Sequence, residues 1–336
     1  MLYRLLSHFE LGEPMFPSKD ALTICFAHAA YQMQARFDAR RTGIRNFQVW
    51  NYDDLQKRVG EADVVVVSGM WKNDLIPVAS NLKFIQSISS GMDQYSKEQL
   101  AAKGVRLCSA AGVNARAVAE HAIALILAVA RRLPEARDNQ HRKFWRGMIG
   151  DLTQREDELG GKTMLVVGMG RIGSHLAMLG KAFGMKVIGI RQDPGKGTNG
   201  ADSIHGMGEV VKLVPEADIV ALTCALTPET TGLMSAAAFA AMKPSAMFVN
   251  VARGKVADEA ALIATMQSGK IASAALDVTA EEPLPADSPL WTMPNVFITP
   301  HTAGETRAYE DNVLDILVEN LERLWKGEQV LRNQVL

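Results

Sequence analysis

The sequence predicts a soluble α/β protein built from two doubly wound parallel-sheet domains. Three observations carry that prediction. Short apolar runs of strand length recur along the chain with helical stretches between them. A glycine-rich turn sits where one such run passes into an apolar-striped helix. The chain has 336 residues, while single domains commonly run to about 100–200. A composition of 48% hydrophobic and 22% charged residues is enough to bury a core in each domain.

The elements follow in order. Residues 22–27 form a short apolar strand, and residues 63–68 hold four consecutive valines, the pattern of a parallel strand buried on both faces. Residues 82–90 and 105–109 are further strands. Residues 114–132 read as one long helix, apolar nearly all round through 122–130, so it lies under a sheet or in a subunit interface. Residues 132–161 are polar, contain Pro134 and several glycines, and read as a connecting arm. A second alternation then places strands at 163–167, 186–190, 219–223, 246–251, 272–278 and 296–299, a sheet of about six strands. Residues 305–325 close the chain as an amphipathic helix.

Composition excludes several function classes. The net charge of −1 provides no global field for nucleic acid or an anionic membrane. The local basic group Arg142, Lys143 and Arg146, beside Phe144 and Trp145, is expected on a solvated or subunit-facing arm. Cys25, Cys108 and Cys224 are scattered and form no CxxC, which argues against a disulfide framework or zinc site and fits a reducing compartment. Each cysteine lies in an apolar run and is expected as a small buried hydrophobe. The N-terminal apolar stretch is too short for a signal peptide. The longest apolar run, 122–130, falls short of the ~20 residues of a membrane span. The expectation is a cytoplasmic protein with neither nucleic acid nor membrane as partner.

The run Leu165-Val-Val-Gly168-Met-Gly170-Arg171-Ile172-Gly173 is a GxGxxG between a strand and a helix. Gly168 makes the tight turn, Gly170 leaves room for a pyrophosphate, and Gly173 lets helix and strand pack closely. Backbone N–H groups near Arg171 and Ile172 would hold the phosphates at the helix start. The next strand ends at Arg191, followed by Gln192 and Asp193. An acid at that end would take the ribose hydroxyls of NAD, whereas arginine suits a 2′-phosphate. NADP is therefore the expected cofactor, with NAD open through Asp193.

Three later strand ends carry reactive side chains: Asn250-Val-Ala252-Arg253-Gly, Leu276-Asp277-Val-Thr-Ala-Glu281-Glu282-Pro, and Thr299-Pro-His301. Ligands bind outside the carboxyl ends of such strands. Reducing a 2-oxo acid requires a cation for the carboxylate, a proton donor for the carbonyl oxygen, and a hydride source. Arginine meets a carboxylate with two bonds, histidine transfers protons near neutral pH, and a neighbouring carboxylate fixes the imidazole tautomer. Arg253, His301 and Glu282 match those roles.

With these residues in view, the chain resembles the D-isomer-specific 2-hydroxyacid dehydrogenase family, which includes glyoxylate/hydroxypyruvate reductases. Further matching runs are Gly160-Gly-Lys-Thr, Phe183-Gly-Met-Lys-Val, Leu226-Thr-Pro-Glu-Thr230, Asp258-Glu-Ala-Ala-Leu262, Glu282-Pro-Leu-Pro and Ser288-Pro-Leu-Trp291. The resemblance is strong over residues 114–306 and looser before them. It implies a Rossmann nucleotide-binding domain, residues 114–301, inserted in a flavodoxin-like substrate domain, residues 1–113 plus 302–336, with a cleft between them. It implies catalysis by Arg253, Glu282 and His301, with Asp277 at the nicotinamide and Cys224 and Ala252 as further cofactor contacts. The substrate, a small 2-oxo or D-2-hydroxy acid, would also meet backbone amides of the loop holding Ser90 and Gly91. The resemblance further implies a homodimer formed through the helix and arm of residues 114–161. Arg191 departs from the family's usual acid, and Ala225 stands where many members have proline. Ser90 stands where phosphite-oxidising relatives carry lysine, and a histidine with a Glu-Pro partner is unlike formate dehydrogenases. The loop 68–71, with Met70 and Trp71, either lines the substrate pocket or packs in the core. Glyoxylate or hydroxypyruvate leads as substrate. The rival from another class is a nucleotide-sensing binding protein, similar to transcriptional corepressors on the same fold.

Overall fold

The computed structural model describes residues 16–336. The N-terminal stretch read above as too short for a signal peptide lies outside the described residues. The strands are β1 (Thr23–Ala27), β2 (Arg45–Val49), β3 (Val64–Val67), β4 (Phe84–Ser87), β5 (Arg106–Cys108), β6 (Thr163–Val167), β7 (Lys186–Arg191), β8 (Ser203–Gly206), β9 (Ile219–Leu222), β10 (Met247–Asn250), β11 (Ser273–Leu276) and β12 (Val296–Ile298). The helices are α1 (Met33–Ala39), α2 (Tyr52–Arg58), α3 (Lys97–Ala102), α4 (Ala115–Ala130), α5 (Leu133–His141), α6 (Arg171–Ala182), α7 (Val210–Leu213), α8 (Ala236–Ala241), α9 (Glu259–Gln267) and α10 (Tyr309–Trp325).

The chain divides into two compact units, one formed by the segment up to Val113 together with Arg307–Leu336, the other by Asn114–Thr306. The first holds a parallel sheet of order β2-β1-β3-β4-β5, in which strand order reverses between β1 and β3. The four valines of β3 are fully buried between β1 and β4, as their pattern predicts. Helix α10 belongs to this unit and buries Val313, Leu314, Ile316, Leu317 and Leu321, an i, i+3/i+4 stripe. Asn320 on the same face is also buried. It is satisfied by Gln86 at 3.2 Å and by the backbone of Arg332, which ties the C-terminal residues to the sheet.

The second unit holds a parallel sheet of order β12-β11-β10-β9-β6-β7-β8. Its strand order reverses between β6 and β9, so the residues just past those two strands flank the crevice where ligands of open α/β sheets bind. Helix α4 buries Val118, Ala119, Ala122, Leu125 and Ile126 over one face of this sheet, in a core shared with Met164, Val166, Leu176 and Val249.

Two sheets of five and seven strands bear out the fold class, with additions. β2 and β8 were not expected. Both are edge strands whose residues are largely half-buried rather than fully buried, so they lack the continuous apolar run that marks β3. The second sheet accordingly has seven strands instead of about six. The stretch read as a connecting arm contains helix α5, which buries no residue and so shows no apolar stripe in the sequence. Of the two readings for Trp71, the structure gives core packing: the ring is 2% exposed and packs near Tyr95. Cys25 and Cys108 are fully buried as expected, whereas Cys224 is only partly so. Among the described residues, no helix is long and apolar enough to cross a membrane.

Candidate active site

The glycine turn closes on contacts that admit no side chain. Gly168 has φ +111°, and a Cβ there would lie 2.4 Å from the backbone nitrogen of Cys224. A Cβ on Gly173 would lie 2.3 Å from the Gly168 carbonyl oxygen, which already accepts a hydrogen bond from the Thr223 hydroxyl at 2.9 Å. Gly170 differs: a Cβ there would meet nothing within 4 Å. Gly168 and Gly173 are thus glycines for packing, while Gly170 is glycine beside open space at the start of α6. The helix geometry leaves the first N–H groups of α6, including those of Ile172 and Gly173, without intrahelical acceptors. The N-cap residue of α6 is Gly170, so no side chain caps them. Open space, N–H groups without intrahelical acceptors and the positive helix end make a cradle that fits a dinucleotide pyrophosphate.

Two further expected contacts surround this turn. Cys224, just past β9, packs against Gly168, and burial pushes its thiol up to about 11, so it presents a neutral surface. Arg191 ends β7, and among the described residues its guanidinium reaches only the carbonyls of Lys196 and Gly197, each at 3.3 Å. The competing residue, Asp193, is occupied: its carboxylate accepts the Gly195 N–H at 3.0 Å and lies 3.9 Å from the Lys196 ammonium.

On the other side of the reversal, the ends of β10, β11 and β12 lie side by side. Asn250 is buried below the first of them, donating to the Arg253 carbonyl at 3.1 Å and accepting from Ala252 N–H at 3.0 Å. This locks the turn and projects Arg253, whose exposed side chain bonds, among the described residues, only the adjacent Ala252 carbonyl. Gly254 follows because a Cβ there would meet the Thr279 backbone at 2.0 Å. That close approach brings the turn after β10 against the loop that carries Glu282.

Glu282 and His301 meet, with Oε2 2.6 Å from Nδ1. The other carboxylate oxygen accepts the Thr279 N–H at 3.1 Å, so the pair is held from one side by backbone. With Nδ1 facing the carboxylate, Nε2 is the ring atom left for exchange with a substrate. His301 has φ +55°, a left-handed conformation uncommon outside glycine. Its N–H donates to the Asp277 carbonyl at 2.8 Å. Beside the pair lies a cavity of about 400 Å³ lined by Asp277, Glu282, Pro283, Leu284, Trp291 and His301 among others.

Asp277 is 2% exposed. Its Oδ1 accepts the Thr299 hydroxyl at 2.7 Å and Thr302 N–H at 3.0 Å, and its Oδ2 accepts Ala303 N–H at 3.0 Å. Burial alone would raise this carboxyl, but hydrogen bonds from His121, Thr299, Ala303 and Thr302 outweigh it and hold the group below the usual carboxylate range. The carboxylate thereby organises the turn around His301.

Three residues were not foreseen. Glu259 accepts the Ala280 N–H at 2.7 Å and pins the Glu282 loop to α9. Asn250 was noted as part of a motif but given no role. His121 reaches Thr299 and Asp277 from α4. Its signal in the sequence is a single imidazole just before the apolar run 122–130.

In the first unit, Ser90 and Gly91 lie in an exposed loop after β4. Ser89 Oγ donates to the Gly91 carbonyl at 2.9 Å, and among the described residues no acceptor takes the N–H of Ser90 or Gly91.

A family profile described as the NAD binding domain of D-isomer specific 2-hydroxyacid dehydrogenases matches residues 123–303. The chain belongs to this family. Those residues contain the glycine turn and the Arg253, Glu282 and His301 strand ends. A D-3-phosphoglycerate dehydrogenase of Methanocaldococcus jannaschii is 35% identical over 283 residues, 82% of this chain but 52% of that protein. The chain thus spans about half the length of the first curated relatives it matches. A glyoxylate reductase/hydroxypyruvate reductase of Mus musculus is 32% identical over 288 residues, 83% of this chain and 88% of that protein. A solved D-isomer specific 2-hydroxyacid dehydrogenase family protein from Aeromonas salmonicida superposes with a TM-score of 0.80 at 30% identity, covering 95% of this chain and 99% of that one. The 2-hydroxyacid dehydrogenase resemblance read from the motifs is borne out.

Proposed function

We propose that this chain is an NADP-dependent reductase of a small 2-oxo acid to its D-2-hydroxy acid, with glyoxylate or hydroxypyruvate the leading substrates. The observation that carries the reading is the Glu282–His301 pair at 2.6 Å, with Arg253 at the end of β10 in the same sheet and free of any acidic partner among the described residues. When bound, the nicotinamide supplies a hydride. The chain's own residues do the rest. Arg253 holds the substrate carboxylate and orients the carbonyl. His301 carries a proton on Nε2 to the carbonyl oxygen, and Glu282 stabilises the imidazolium that delivers it. For carboxylate binding, the family resemblance also assigns the backbone N–H groups of Ser90 and Gly91.

For the cofactor, Gly168, Gly170, Arg171, Ile172 and Gly173 form the pyrophosphate cradle, with Cys224, Ala252 and Asp277 around the nicotinamide end. Arg191 favours a 2′-phosphate, supported by the engagement of Asp193 within its own turn. The assignment of the first unit to substrate and the second to dinucleotide belongs to the same proposal.

A homodimer is also proposed. Leu133, Phe144, Trp145, Met148 and Leu152 are all exposed large hydrophobics of one segment, Trp145 at 96% and Met148 at 102%. Apolar groups so concentrated mark an interaction surface, and a second copy of this arm is its natural cover. A cytoplasmic location is in keeping with the free cysteines.

The test is a panel of 2-oxo acids with NADPH and NADH, followed by chiral analysis of the product. Oxidation of NADPH with glyoxylate or hydroxypyruvate, and D-products from larger substrates, supports the reading. No oxidation of either cofactor across the panel sinks it in favour of a nucleotide-sensing role.

A further inference from the structure

Helix α4 is apolar except for Arg116, Glu120 and His121, and of these only His121 turns from solvent toward the sheet: Arg116 and Glu120 are exposed, whereas the His121 side chain is 24% exposed. A polar group in such a place costs stability unless it is bonded. His121 Nε2 lies 2.9 Å from Thr299 Oγ1 and 3.4 Å from Asp277 Oδ1. Thr299 in turn donates its hydroxyl hydrogen to Asp277 at 2.7 Å. The polarity of this relay is fixed. The Thr299 hydrogen is committed to the carboxylate, so the hydroxyl can only accept, and His121 must donate from Nε2.

The relay ends on the turn that carries His301. Asp277 accepts the N–H groups of Thr302 and Ala303 with its side chain and the N–H of His301 with its carbonyl. These bonds hold the left-handed His301 backbone against relaxation. The N-cap residue of α4 packs on the same turn: a Cβ on Gly304 would come within 2.5 Å of the Asn114 amide nitrogen.

We propose that His121 is a positioning residue: through Thr299 and Asp277 it fixes the turn that aims His301 at Glu282. The proposal rests on the reading of His301 as the proton donor. It makes His121 necessary for turnover without contact to substrate.

The test compares His121→Phe, which keeps the ring's bulk but removes the donor, with His121→Gln, whose amide nitrogen can occupy the place of Nε2. Thr299→Val cuts the same relay from its other end and serves if His121→Phe fails to fold. The expected result is a fall in kcat of roughly ten- to a hundred-fold for His121→Phe, as for displacement of a catalytic group by a fraction of an ångström to an ångström, with KM changed less than about two-fold and activity restored in His121→Gln. A second readout needs no turnover: in the cofactor-free protein, the ¹⁵N signals of the His301 ring should move in His121→Phe and Thr299→Val and return in His121→Gln. Wild-type kcat together with unmoved His301 ring signals in a folded His121→Phe or Thr299→Val protein overturns the proposal. If the unmodified chain reduces no 2-oxo acid, the functional reading fails, while the ring signals still decide whether His121 positions His301.

Discussion

At the level of single residues, the reactive groups have few partners. Among the described residues, the Arg253 side chain bonds only its neighbour's carbonyl, and His301 is paired through one nitrogen. Replacing His301 with alanine is expected to lower kcat by roughly 10²–10⁴-fold, the usual worth of a positioned acid, while NADPH binding measured by fluorescence titration stays intact. Arg191→Asp should reverse the cofactor ratio. Loss of one charge-assisted bond, about 1.5–3 kcal/mol, predicts a drop in kcat/KM for NADPH of roughly ten-fold or more, with NADH gaining relative to it. Equal kinetics with both cofactors in the unmodified protein would contradict the role of Arg191. These residues were legible in the sequence because they stand at the ends of apolar runs, where side chains of open sheets meet ligands. His121 and Glu259 were not, because their work depends on which loop a helix touches, and the spacing of 178 positions between His121 and Thr299 carries no sequence signal.

At the scale of elements, the three glycines of the β6–α6 turn make separable predictions. A side chain at Gly173 collides with the turn itself, so Gly173→Val should lower Tm, in line with the ~1–3 kcal/mol cost of overpacking. A side chain at Gly170 meets only open space, so Gly170→Val should leave Tm unchanged and abolish cofactor binding. Thermal unfolding with and without NADPH distinguishes the two. The motif alone assigns all three glycines to one function; the structure divides them. The β11–β12 end adds a pH dependence. Asp277 is held below its ordinary value, so its contribution to stability is present above the unfolded carboxylate range and is lost as pH falls through the lower folded value. The second unit should therefore lose stability below about pH 4. Asp277→Asn, which places a donor among donors, should lower Tm at neutral pH and show a smaller further loss on acidification. The same Tm series for both proteins checks this. Strands buried on both faces were read correctly from their apolar runs, and the edge strands β2 and β8 were missed because half their surface is free to be polar.

At the scale of the whole molecule, two parallel sheets with reversed strand order place every candidate group at strand ends, which is why fold class and site could be read together. The arm resisted reading, since α5 buries nothing within its own chain. If a second copy covers it, then Trp145→Asp with Met148→Asp should convert a dimer to a monomer in light-scattering measurements, with the isolated chain still folded. A monomer before mutation would remove the dimer from the account. The Arg253, Glu282 and His301 constellation is tested by following NADPH absorbance with glyoxylate or hydroxypyruvate for the unmodified protein and for Glu282→Gln and His301→Ala. Turnover is expected in the first, and strongly reduced kcat in both variants with cofactor still bound. Undiminished turnover in both variants would contradict it.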